Sequence, residues 1–272
     1  MAKTRVPALY TAGALEPAAD PAADPRLLLA ALARDLYGRG WMAGTAGNLS
    51  LRLGDGSFWI TASGKAKGAL GVEDFVRVAP DGEVLERGKA DDLPSAETCI
   101  HQALYALFPE ASACLHVHTV AANLVPRLAA SPAVAGAVAA VDEVGRTGGP
   151  AGAGAGGEPQ SCEIPLPPLE MLKGLGIREE RPRIGIAVFP NQLEVQAIAA
   201  AVAARFRAAP PRLPAFLIRD HGLTVWAESA ARALNYLELL EFTFAFMIAA
   251  RAAGLPPEPP LPRTPPAGSA GR

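Results

Sequence analysis

Two hairpins set close together near the start of the chain restrict its fold more than any other feature. In NLSLRLGDGSFWIT, residues 48–61, two runs rich in alternating apolar residues flank Gly-Asp-Gly, which is tight-turn chemistry. In DFVRVAPDGEVL, residues 74–85, a second hairpin follows. Strands joined by such short turns must run antiparallel, so the sheet they begin is not of the doubly wound parallel kind. Further apolar strands read in SACLHVHT (112–119), IGIAVF (184–189) and AFLIRDHGLTVWA (215–227), the last broken at His221 and Gly222. Helical periodicity marks RLLLAALARDLYGRG (26–40), capped by Asp24 and Pro25 and closed by Gly38 or Gly40. It also marks SAETCIHQALYALF (95–108), with Ser95 as cap, LEVQAIAAAVAARF (193–206) and the long amphipathic AARALNYLELLEFTFAFMIAARA (230–252). The pattern predicts an α/β sandwich, a mostly antiparallel central sheet flanked by helices.

These elements fill one expected domain over 25–254, preceded by a flexible segment 1–24 and followed by a Pro-rich tail 255–272. Inside the domain, GRTGGPAGAGAGGEP at 145–159 lacks the apolar surface to offset ordering entropy and predicts a flexible insertion.

A formal net charge of −2 without a dense Lys/Arg stripe argues against nucleic acid as a partner. Cys99, Cys114 and Cys162 are odd in number and widely spaced, which suits a reducing compartment better than a disulfide framework. The first residues lack the apolar core of a secretory signal, and the apolar run around Phe242–Ala250 reads as too short to span a bilayer. The expectation is a soluble cytoplasmic protein with no membrane partner.

His116 and His118 alternate along an apolar strand and therefore project from one face, where two imidazoles can grip one ion. His221 ends another strand at a glycine, placed to add a third ligand and complete an open zinc site. The fourth histidine, His101, lies within a helix and reads as a solvated or packing residue. Gly44-Thr45-Ala46-Gly47-Asn48-Leu49-Ser50 and Thr61-Ala62-Ser63-Gly64-Lys65 place glycines, hydroxyls, an amide and a lysine at strand ends, and Ser95 adds a helix N-terminus. Together they predict a phosphate cradle, although each stretch alone would pass for a hairpin loop and Lys65 and Lys67 for surface charges. Glu97 and Glu170 are candidate proton-transfer carboxylates beside a metal-polarised carbonyl; by position alone either would serve a helix dipole.

The order GTAGNLS, TASGK, PSAET, HVH and RDHGLTVW, over roughly residues 26–253, resembles the class II (zinc) aldolase and epimerase superfamily. That resemblance implies one Zn2+ per subunit on His116, His118 and His221, and a phosphorylated keto-sugar substrate. It further implies a phosphate held by Gly47, Asn48, Ser63, Gly64 and Ser95, and a cyclic homotetramer. Glu97 matches the acid/base residue of the aldolases. The segment LEMLKGLG resembles a dehydratase branch that aldolases do not share, which implies a hydro-lyase with Glu170 as acid/base and Lys173 nearby.

Overall fold

The computed structural model describes residues 24–129, 161–180 and 182–255. The segments expected to be flexible (1–24, 145–159 and 255–272) fall outside these residues apart from Asp24 and Leu255.

Among the described residues nine strands form one sheet: β1 Asn48–Arg52, β2 Phe58–Thr61, β3 Phe75–Val78, β4 Val84–Arg87, β5 Ala113–Val117, β6 Cys162–Pro165, β7 Gly185–Phe189, β8 Ala215–Ile218 and β9 Gly222–Ala227. Their order is β4-β3-β2-β1-β5-β9-β8-β7-β6. Every neighbouring pair is antiparallel except β7 with β8. That parallel pair needs a crossover, and a helix supplies it. The helices are α1 Pro25–Gly38, α2 Thr98–Leu107, α3 Val120–Ala129, α4 Val195–Ala208 (the crossover) and α5 Ala230–Ala252.

Side-chain alternation divides the core in two. Leu49, Leu115, Val117, Leu217 and Val225 face one side, packing with Leu32 and Leu36 of α1, Val125 of α3 and Leu237 and Phe244 of α5. Phe58, Ile60, Cys114, Phe216 and Trp226 face the other, against Ile100 and Leu104 of α2 and Val202 and Phe206 of α4. The expected α/β sandwich is thus a sheet with a helical layer on each face. Asp24 caps α1 by accepting from the Arg26 amide, with Pro25 at the first turn.

Among the described residues, α3, the edge strand β6 and the 3-10 turns at Lys67–Ala69, Val72–Asp74 and Glu170–Leu175 carry no expectation from the sequence. One boundary moves as well. Helix α2 begins at Thr98 and not at Ser95, because the Ser95 amide donates to the Thr61 carbonyl and Pro94 forms a bridge with Ala62. The apolar run expected to be too short for a bilayer belongs to α5, whose 23 residues pass on length and composition. Half of its most apolar window is buried, and it packs on the sheet as a core helix.

Candidate metal and phosphate site

The register of the central strands builds the site. Asn48 of β1 and Thr224 of β9 lie directly opposite His116 of β5, on its two sides. His118 follows two residues later, just past the strand end, and His221 sits in the turn between β8 and β9. The turn is tight: Asp220 has φ 54°, and a Cβ on Gly222 would lie 2.1 Å from the Val117 carbonyl oxygen. Glycine there lets the His221 turn close onto the end of β5.

The three imidazoles meet edge to face, their ring centroids 4.6–5.0 Å apart. His116 Nε2 and His118 Nε2 are 2.9 Å from each other. Glu97, at the head of α2, completes the cluster: its Oε1 is 2.7 Å from His221 Nε2 and its Oε2 is 3.3 Å from His116 Nε2. The ligand atoms of these four residues all lie within 4.8 Å of one another. Burial holds His116 at a pKa of about 4 and His118 at about 3, so both stay neutral with lone pairs to offer. Thr224 Oγ1, 2.9 Å from His116 Nδ1, can accept that nitrogen's proton and leave the Nε2 lone pair facing the cluster. Among the described residues, His221 Nδ1 has no hydrogen-bond partner, and its Nε2 is the nitrogen turned to the cluster. Three imidazoles and one carboxylate are a donor set that zinc accepts.

Burial alone would raise the Glu97 carboxyl, but the facing His116 and His221 rings and the Asn48 amide outweigh it and hold the group well below the usual carboxylate range. Glu97 accepts from the Asn48 side-chain amide, and that bond orders a buried chain. A carboxylate has no proton to give, so Asn48 turns its nitrogen to Glu97 and its Oδ1 accepts from His101 Nε2 at 2.5 Å. His101 Nδ1 then accepts from the Ser50 hydroxyl at 2.6 Å, and Ser50 accepts from Tyr105 at 2.7 Å. His101 is therefore a fully buried packing histidine, kept neutral by burial at about 3, and it braces the site from behind.

The three segments of the predicted cradle converge. Gly47 has φ 79° and Gly64 has φ 71°, both left-handed positions that favour glycine. The Ser63 amide donates to Leu93, and Ser95 joins Thr61, which brings the loop after β2 beside the head of α2. Lysines hold surprises on both sides. Lys65 is neutralised by Asp92 at 2.6 Å and Asp74 at 3.6 Å. Lys67, which by position alone would pass for a surface charge, is only 2% exposed; its ammonium donates to the Thr45 and Lys65 carbonyls at 2.7 and 3.0 Å.

Glu170 stands apart from the cluster. It opens the 170–175 turn with its side chain 78% exposed, 3.1 Å from Lys173 Nζ. The turn rests on α5, where Gly174 approaches Leu239, and α5 also carries Glu241, which accepts from the Thr119 hydroxyl at 2.6 Å, two residues past the end of β5. A cavity of about 400 Å³ opens beside His118, lined by the apolar side chains of Val120 and Leu124, by Asn123, and by the ion pair of Arg127 and Asp220.

Fold and site define a class. The chain belongs to the class II aldolase and adducin N-terminal domain family, whose model matches residues 28–248. Among curated relatives, it is 49% identical over 227 residues to methylthioribulose-1-phosphate dehydratase of Microcystis aeruginosa, covering 84% of this chain and 96% of that protein. It is 42% identical over 219 residues to the protein of the same name from Leptospira biflexa, covering 78% and 90%. Among solved structures, YgbL of Escherichia coli superposes with a TM-score of 0.61 at 25% identity, over 83% of this chain and 89% of that one.

Proposed function

We propose that this chain is a zinc-dependent hydro-lyase that converts 5-methylthioribulose 1-phosphate to 2,3-diketo-5-methylthiopentyl 1-phosphate, a step of methionine salvage. The observation that carries the reading is the cluster of Glu97, His116, His118 and His221 beside three anion-friendly loops, in a chain 49% identical to a named dehydratase.

His116, His118 and His221 would hold the metal, which when bound polarises a carbonyl and makes the adjacent C–H acidic. Gly47, Asn48, Ser63, Gly64 and Ser95 receive the phosphate through backbone amides, the Ser hydroxyls and the unspent Asn48 N–H. The methylthio tail fits the apolar wall of Val120 and Leu124 beside His118. Glu97, its oxygens committed to His221, His116 and Asn48, is suited to gripping a cation. The C3 proton goes to Glu170, the carboxylate of the segment LEMLKGLG that sets the dehydratase branch apart, and Glu170 then gives it to the departing C4 hydroxyl. The assembly is a homotetramer in the cytoplasm, with neither nucleic acid nor membrane as partner.

The test is to incubate purified protein with methylthioribulose 1-phosphate and follow dicarbonyl formation with and without a chelator. One chelator-sensitive dicarbonyl product supports the reading. Two carbon fragments would mean aldol cleavage and overturn it.

A further inference from the structure

The cradle's positive charge comes from an unexpected place. The lysine in its most accessible loop, Lys65, is tied to Asp92 and Asp74 and has no charge to spare for a ligand. Lys67 is the reverse. It sits in a short turn, Lys67–Ala69, with its side chain folded inward between the two glycine loops. Its backbone amide donates to Gly44, and its ammonium to Thr45 in the first loop and Lys65 in the second. Two of its three N–H bonds are thus placed, and one remains.

Among the described residues no carboxylate pairs with it. The charge that acts on it is that of Glu97, whose oxygens are already given to His221, His116 and Asn48. A buried ammonium without a counterion is costly, and burial pulls Lys67 down to about 8. Its field also reaches His118. A cation wedged under two glycine loops, within electrostatic reach of the histidine cluster, is suited to meeting an anion.

We infer that Lys67 is the cationic phosphate-binding residue of this site, contacting a phosphate dianion from beneath the 44–47 and 63–65 loops and discriminating phosphorylated from unphosphorylated ligands. The inference rests on the phosphate reading of the cradle, yet it needs no turnover, so inorganic phosphate is the probe.

The experiment measures inorganic phosphate binding to zinc-loaded wild type, Lys67→Met, Lys67→Gln and Lys67→Arg by calorimetry, with melting temperature and zinc content alongside. Phosphate affinity should fall about ten- to a hundredfold in the Met and Gln variants, as expected for a lost charge-assisted bond, and stay within a few-fold in Arg. Without phosphate, Lys67→Met should melt at or above the wild-type temperature, because an unpaired buried charge has been removed. Zinc content should not change. If the Met and Gln variants keep wild-type phosphate affinity, or both lose the fold, Lys67 is only a tie between loops and the inference is overturned. Absence of dehydration with phosphate binding still dependent on Lys67 would overturn the proposed reaction alone.

Discussion

Glu97 Oε1 lies 2.7 Å from Nε2 of His221, so a carboxylate at the head of α2 meets an imidazole from the β8–β9 turn where His116 and His118 also converge. Four such donors in contact are held together best by a cation. Elemental analysis should find about one zinc per chain, and His116→Ala or His221→Ala should lose most of it. Removing the metal with a chelator should lower the melting temperature, since binding to the native state alone adds stability. Full zinc retention in both variants would sink the metal centre.

The β8–β9 turn is the weakest point in that assembly. A methyl group at residue 222 would sit 2.1 Å from the Val117 carbonyl oxygen and 3.2 Å from His116 Cε1. Backbone cannot yield as a side-chain end can, so Gly222→Ala should cost about 1–3 kcal/mol or more, and zinc should go with it as the His221 turn is pushed off β5. Chemical denaturation and metal analysis check this; a variant within about 0.5 kcal/mol of wild type would refute it.

Period-two and helical patterns made the hairpins, β5 and the long helices legible, and the alternation of His116 and His118 along an apolar strand was visible for the same reason. What stayed hidden depended on distant partners. Helix α3 carries Pro126 inside it, which breaks the pattern that would announce it, and β6 ends at Pro165 on the sheet edge, where proline is tolerated. The start of α2 shifted because a long-range bond from Ser95 to Thr61 competes with the local cap. Lys67 lies in the polar string GKAKG and gives no local sign of burial; loop 44–47, packed over it, buries it. Glu97 is a candidate proton-transfer carboxylate by sequence, but its contact with His221, which comes from the other end of the chain, has no local sign.

Glu241 makes stability depend on pH. Burial raises its carboxyl to about 7, only partly opposed by the hydrogen bond from Thr119. In the unfolded chain it titrates near 4.5. Between those values the native state holds a proton that the unfolded state releases, so raising pH through this window favours unfolding, by up to about 1.4 kcal/mol per unit for a fully effective group. Below the window the term vanishes. Glu241→Gln removes the titration, so its melting temperature should match wild type near pH 4.5 and exceed it increasingly towards pH 8. A constant difference across that range would count against the assignment.

The two glutamates differ in a way that separates their roles by experiment. Glu97 is buried among the imidazoles, whereas Glu170 lies on an exposed turn with Lys173 as its partner. If Glu97 helps to grip the cation and Glu170 moves the proton, Glu97→Gln should weaken zinc retention, and excess zinc in the assay should restore part of its activity. Glu170→Gln keeps shape and hydrogen bonding but cannot accept a proton, so dehydration should fall by at least about 10²-fold. Its zinc content should equal that of wild type, and added zinc should not help. Lys173→Ala, which releases Glu170 from its ion pair, should change kcat less than Glu170→Gln does. The opposite pattern, with Glu170→Gln near wild type and Glu97→Gln fully loaded with zinc yet inactive, would move the proton transfer to Glu97 and make the chemistry that of an aldolase.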